Sequence, residues 1–214
     1  MSADTGSPPS CLDRLLAAAL DVFRESGYRG SIDAVAKRAG VARQTIYNHF
    51  ESKDALFLAA LDQAVGEVFA PLESEEGDCC SRLMQFSLLF RERVLSPEAI
   101  NLHRVLVAEA PRFPELAQAF YQRVIIHSRQ RLARMIEAGM QEGYLRQDDP
   151  MEAASLYIDI LAAPEHESLL FMSGTIDSAE EEKKVQRVME LFGRLYVNPD
   201  LPCALKSATQ EQKN

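Results

Sequence analysis

Residues 32–50 read IDAVAKRAGVARQTIYNHF. Val35, Ala36 and Ala39 share one face of a two-turn helix. Gly40 ends that helix where a left-handed backbone is wanted, which glycine adopts without steric cost. Val41 is apolar in the turn. Ile46 and Phe50 are apolar on a second short helix, from about Ala42 to His49, and small Ala36 lets the two helices cross closely. The pattern predicts a helix-turn-helix unit: two short helices, a tight glycine turn, and a core of small and aliphatic side chains. Arg43, Gln44, Thr45, Tyr47, Asn48 and His49 are left for the exposed side of the second helix.

The flanking sequence extends this unit. Ser10 to Ser26 reads as a helix, with Ser10 and Asp13 as a capping box and Leu12, Leu15, Leu16, Ala19, Leu20 and Phe23 as its apolar stripe. Gly27 ends it. Ser31 is an N-cap for the helix before the turn, and Ser52 caps the following stretch KDALFLAALDQAVGEVFAPL. Pro71 and the run ESEEGD end that stretch and mark a module boundary. Further helices are predicted over residues 81–96, 98–110 and 115–142. Another starts at Pro150 behind an Asp149 cap and runs to about Ala163, and a last one follows a Ser178–Glu181 capping box. No strand and no internal repeat is read. The fold class is therefore all-α: an N-terminal three-helix helix-turn-helix head (residues 10–56) and a larger C-terminal helical body (57–199), between a disordered tail (1–9) and a flexible tail (200–214).

Composition agrees. The 214 residues are 47% hydrophobic, enough to bury a sizeable core, and β-branched runs are scarce. The formal net charge is −9, but it is unevenly placed. Between Arg14 and Lys53 the bases Arg14, Arg24, Arg29, Lys37, Arg38, Arg43 and Lys53 outnumber the acids Asp21, Glu25, Asp33 and Glu51. A slightly basic head on an acidic body implies that only the head meets a polyanion. No stretch reads as apolar enough for long enough to span a bilayer, and MSADTGSPPS lacks the n-region and h-region of a secretory leader. Cys11, Cys79, Cys80 and Cys203 have no metal-ligand spacing and read as reduced thiols of a cytoplasmic protein. Adjacent Cys79 and Cys80 are the one candidate redox pair.

The second helix of a helix-turn-helix unit enters the major groove of double-stranded DNA. Arg pairs with guanine, Gln or Asn with adenine, and the Thr methyl with that of thymine. Tyr47, His49 and Lys53 suit phosphate contacts, which position the helix without reading sequence.

The segment AAALDVFRESGYRGSIDAVAKRAGVARQTIYNHFESKDALF, and within it AxxAGV, TIYxHF and KDALF, resembles the DNA-binding domain of the TetR family of bacterial transcriptional regulators. The resemblance covers Leu12 to Leu61. It implies a DNA-binding head, a ligand-binding and dimerisation body, and repression relieved by a small molecule. By position, it makes Arg43, Gln44, Thr45 and Asn48 base readers, Tyr47, His49 and Lys53 backbone contacts, and Ser31 a cap. Two positions depart from the family: Ala42 stands where Ser or Thr is common, and Gln44 where Gly is common. RVLVAEAPRFPELAQAFYQRV resembles the C-terminal domain of the AefR-like branch.

In the body, the last helix offers Val188, Leu191, Phe192 and Leu195, and the helix from Met151 offers Ala153, Leu156, Tyr157 and Ile160. Two such helices per subunit make a four-helix homodimer interface, and the resemblance supports it. A dimer also lets two short helices read a palindrome. Phe86, Phe90, Phe120, Tyr121, Met135, Tyr157 and Phe171, with His103 as a polar anchor, are candidates to line a largely apolar effector pocket. Arg123, His127, Arg131 and Arg134 are placed on one helical face, read as solvated or ion-paired with the acidic body, with an anionic effector as the alternative.

Two other classes compete. An enzyme would draw on His103, Glu109, Glu165, His166 and Glu167, but no HExxH, nucleophile elbow or phosphate loop appears, so no catalysis, cofactor or metal is expected. A helical interaction module that kept the head and lost DNA binding is opposed by the polar set at 43–49.

Overall fold

A computed structural model describes residues 10–74, 76, 78–172, 174 and 179–198. The two tails, Ser178 and Cys203 lie outside the described residues. The described chain is helical: α1 (Cys11–Ser26), α2 (Ile32–Ala39), α3 (Arg43–His49), α4 (Lys53–Glu73), α5 (Cys79–Val94), α6 (Pro97–Glu109), α7 (Pro114–Phe120), α8 (His127–Gln141), α9 (Pro150–Phe171) and α10 (Glu181–Tyr196). A single antiparallel bridge joins Leu145 to Val197 among the described residues. The chain divides into two compact units. Among the described residues, one holds those up to Ala64 together with Asn101–Ala119; the other holds Val65–Ile100 and those from Phe120 onward.

In the first unit α1 starts at the expected capping box, Ser10 with Asp13. Its face Leu15, Ala18, Ala19, Val22 and Phe23 is buried with Ile32, Val35 and Ala36 of α2, Ile46 of α3, and Leu56, Phe57, Ala60 and Leu61 of α4. Phe23 meets Phe57 edge-on at 4.9 Å between centroids, a geometry the ring quadrupoles favour. Gly30 lets the loop before α2 lie against α1: a Cβ there would fall 2.7 Å from Val22 Cγ1.

The second unit has its own core, from Val68, Phe69, Phe86, Phe90, Leu132, Ile136, Tyr157, Leu161, Val185, Met189 and Phe192 among others. Tyr157 OH pairs with Ser87 Oγ at 2.7 Å in this interior. Arg91, also on α5, is 2% exposed. It donates from Nε and Nη2 to the two carboxylate oxygens of Glu181 at 2.6 and 2.9 Å, and from Nη1 to the Leu161 carbonyl. Its Nη1 is 3.4 Å from Glu165, which Lys184 also meets at 2.9 Å. One buried cation thus joins α5, α9 and α10.

The structure corrects several sequence expectations. α9 continues through Pro164 to Phe171, past the expected end near Ala163, whereas α4 ends at Glu73, one residue beyond the expected stretch. Proline removes one backbone donor, and its ring crowds the carbonyl four residues back. At Pro164, packing of α9 outweighs both. The segment 115–142 is not one regular α-helix: Tyr121–Ile126 is π-helical, with the His127 N–H reaching back to Gln122. The extra residue breaks the register that put Arg123 in line with His127, Arg131 and Arg134. Arg131 is ion-paired, as expected of that face: it meets Glu73 and lies 5.0 Å over the Phe69 ring. α5 begins at Cys79, two residues before expectation, because Asp78 accepts from the Ser81 N–H at 2.8 Å. Finally, α4 is long and apolar enough to cross a membrane by length and mean hydropathy, 21 residues at 1.4. Leu56, Phe57, Leu58, Ala60, Leu61, Val68 and Phe69 on it are buried in protein, which accounts for its composition.

Candidate nucleic-acid interface

Local chemistry sets the α2–α3 geometry. Ser31 Oγ accepts from the Ala34 N–H at 3.1 Å, capping α2. Gly40 sits at φ 67°, ψ 36°. The Val41 N–H then donates to the Ala36 carbonyl at 3.0 Å, closing the turn. A Cβ on Gly40 would touch nothing within 4 Å, so the backbone angle alone calls for glycine. Ala42 is the N-cap of α3, with extended backbone and no side-chain cap. Ile46 is the buried residue of α3, 1% exposed.

Anchoring Ile46 turns the remaining face outward. Arg43, Gln44, Tyr47, Asn48 and His49 are exposed, and Thr45 is half-buried. The polar side chains hold one another. Gln44 Nε2 donates to Asn48 Oδ1 at 3.1 Å, one turn along. Arg43 Nη1 reaches both Asp33 carboxylate oxygens, at 3.2 and 3.3 Å. Arg43 Nη2 donates to the Tyr47 hydroxyl at 3.3 Å, and the guanidinium lies 5.5 Å over the Tyr47 ring.

Lys53 is placed differently from the other named residues. It is half-buried, its ammonium donates to the Tyr28 carbonyl, and it lies 4.3 Å from the centroid of the Tyr28 ring. Burial lowers its pKa, and neighbouring Asp54 offsets only part of that. The Tyr28 hydroxyl donates to Asp54, and its ring packs on Phe57 and Phe113. Burial first, then the Asp54 hydrogen bond, raises the Tyr28 phenol well above its ordinary value. Lys53 and Asp54 therefore clamp the end of the α1–α2 loop onto the start of α4.

The residues named for an effector fall in different surroundings. Phe86, Phe90 and Tyr157 are core, Met135 packs against that core, and Phe120 is partly buried. Tyr121 and Phe171 are 49% and 84% exposed. His103 belongs to the first unit, where burial lowers its pKa. Of the residues named for a dimer interface, Ala153, Tyr157 and Phe192 are buried within the protomer and serve its own core. Leu156, Leu191 and Leu195 are exposed, and Ile160 and Val188 are half-buried. Of the acids named for catalysis, Glu109 faces Arg29 and Arg112, and Glu165 faces Arg91 and Lys184. No cluster of three or more metal-ligating side chains occurs among the described residues.

Sequence reading missed Asp33 and Arg91. Arg91 had a signal, since it lies one turn beyond Ser87 on the apolar face of Leu83, Phe86 and Phe90; an arginine in such a stripe demands a carboxylate partner. Asp33 had none, because its mate is on the next helix.

A helix-turn-helix head carrying an exposed polar second helix, in a chain with a second all-helical unit, is the architecture of a DNA-binding regulator. Residues 15–60 match the profile of the bacterial regulatory proteins of the tetR family, and residues 81–198 match that of the AefR-like transcriptional repressor C-terminal domain. The chain belongs to the TetR family of transcriptional regulators. It is 37% identical over 65 residues to the HTH-type transcriptional regulator RutR of Escherichia coli K12, covering 30% of this chain and 31% of RutR. The alignment thus spans under a third of that relative. Against the nucleoid occlusion factor SlmA of Marinobacter nauticus it is 29% identical over 150 residues, 67% of this chain and 73% of SlmA. The crystal structure of a TetR-family regulator from Mesorhizobium loti superposes with TM-score 0.71 at 26% identity, covering 88% of this chain and 97% of that one.

Proposed function

We propose that the chain is a homodimeric, sequence-specific repressor, released from a palindromic operator by a small-molecule effector. One observation carries the reading: Ile46 is locked in the head core while the rest of α3 presents a continuous polar face. In a major groove, Arg43 would pair with guanine, Gln44 and Asn48 with adenine, and Thr45 with the thymine methyl. The Tyr47 hydroxyl, which accepts from Arg43, keeps its proton to donate to a phosphate. His49 would make a second phosphate contact, Ser31 fixes the start of α2, and Lys53 adds charge near the backbone from its clamp on Tyr28.

A palindrome asks for two heads. Leu156, Leu191 and Leu195, flanked by Ile160 and Val188, supply an outward apolar strip on α9 and α10 for a second copy. The match of residues 81–198 to the C-terminal domain of AefR-like repressors supports repression as the output. A largely apolar effector would act by binding one of two dimer states more tightly, since equal affinity shifts nothing.

The test is selection of bound sequences from a random double-stranded DNA pool, at stated salt because affinity depends steeply on it. Enrichment of one palindrome supports the reading. A well-folded dimer that enriches nothing, with or without candidate apolar ligands, overturns it in favour of a module that kept the head and lost DNA binding.

A further inference from the structure

We propose that Asp33 is a specificity-determining residue that aims Arg43 at one base pair of the operator half-site. The inference rests on α3 being the groove-reading helix. Asp33 is the one acid between Ser31 and Phe50. The helix before the turn crosses the DNA backbone, where a bare carboxylate repels phosphate. Ser31 already supplies the side-chain cap of α2, and in the first turn Asp33 adds a favourable charge at the helix start.

The geometry gives it another task. Both Asp33 oxygens lie on Arg43 Nη1, at 3.2 and 3.3 Å, while Tyr47 accepts from Nη2 at 3.3 Å. The guanidinium is thereby held between α2 and α3 before any DNA arrives. Each Nη carries two N–H groups; the two oxygens of the one carboxylate share a single forked N–H of Nη1 and Tyr47 takes one of Nη2, so one on each remains. Two such donors side by side are what bidentate pairing to guanine O6 and N7 requires.

Two effects on selectivity follow. A base that suits the held orientation is met without reorganising the arginine. A base that does not suit it must pull Arg43 away from Asp33 and leave the carboxylate facing the DNA. Both effects raise the ratio of specific to non-specific binding, which is the quantity that matters among many competing sites. Asp33 acts through Arg43 and is a positioning residue.

The test repeats the pool selection with wild type, Asp33→Asn, Arg43→Ala and the double variant, using the full-length dimer. Asp33→Asn keeps size and removes charge. Asp33→Glu serves as the conservative variant and should retain the wild-type preference. Melting temperatures control for folding and should move little, because an exposed ion pair contributes little stability. Expected is a roughly three- to tenfold loss of discrimination at one base pair per half-site in Asp33→Asn, a part of what a good bidentate contact supplies. The same position should relax in Arg43→Ala, and Asp33→Asn should add nothing in that background. If wild type yields a palindrome and Asp33→Asn reproduces it at every position, the Asp33 assignment falls alone. Relaxation spread evenly over the site, or persisting in the Arg43→Ala background, also overturns it. If wild type enriches nothing, the reading of the head falls and takes this inference with it.

Discussion

Replacing Arg91 with alanine tests how the body is held together. The guanidinium is buried, and its carboxylate partners are Glu181 at 2.6 and 2.9 Å and Glu165 at 3.4 Å. Alanine leaves the Leu161 carbonyl without this donor and leaves Glu181 and Glu165 sharing Lys184. Breaking a buried ion pair from one side costs about 3–5 kcal/mol, chiefly through the uncompensated charge left behind. For a chain of this size each kcal/mol moves the melting temperature by about 2–4 °C, so a drop of roughly 6–20 °C is expected. The control is Arg38→Ala. It removes a bidentate pair with Glu25 of equally short geometry, 2.8 Å on both arms, but at the surface. That pair should contribute about 0–1 kcal/mol. Calorimetry or circular dichroism at fixed protein concentration reads both, since dimer stability depends on concentration.

The pH dependence adds a second check. Burial alone would raise the Glu165 carboxyl, but the Lys184 hydrogen bond and the Arg91 charge outweigh it and hold its pKa below the ordinary value. A carboxyl depressed on folding stabilises above its unfolded pKa, about 4.3, and loses that contribution as pH falls through the folded value. The gap between wild type and Arg91→Ala should therefore be full at pH 7 and narrow below about pH 4. An Arg91→Ala protein that melts no lower than Arg38→Ala, or a gap that does not change with pH, refutes the reasoning.

Three further outcomes are expected. Ala42→Ser should supply the missing cap on α3, whose N-cap backbone is already extended, and raise stability by about 0.5–2 kcal/mol in urea unfolding. Gly40→Ala should cost about 1–2 kcal/mol from the left-handed backbone alone, because its surroundings are open, and Gly40→Asn should cost less. Leu191→Glu with Leu195→Glu should shift sedimentation toward monomer while the helical circular dichroism signal stays unchanged, since both side chains are exposed in the protomer.

Much of the head was legible because its signals are local. A capping serine, a glycine at the turn and an apolar residue every three or four positions act within one or two helical turns, and each constrains the backbone where it stands. Ser10, Ser31, Gly40 and Asp149 took their expected places on that ground alone. The missing cap at Ala42 was equally visible. The helix end expected near Ala163 lies at Phe171 instead, because burial along α9 exceeds the local penalty of Pro164, about 3 kcal/mol or more.

Three-dimensional packing decided what no window of sequence contains. Which part of the apolar face on α9 and α10 is core, with Ala153, Tyr157 and Phe192, and which is left outward, with Leu156, Leu191 and Leu195, depends on neighbours distant in sequence. The partners of Arg91 lie 74 and 90 residues away, and Asp33 meets Arg43 only because the turn at Gly40 brings α2 and α3 together. A stripe of residues shows that a surface will be buried or charged; it does not say against what. Sequence alone determined the helices and the polar face of α3, because backbone capping and periodicity are short-range. The tertiary structure decided which charges are paired and which apolar side chains face outward, because those follow from contacts that exist only once the chain is folded.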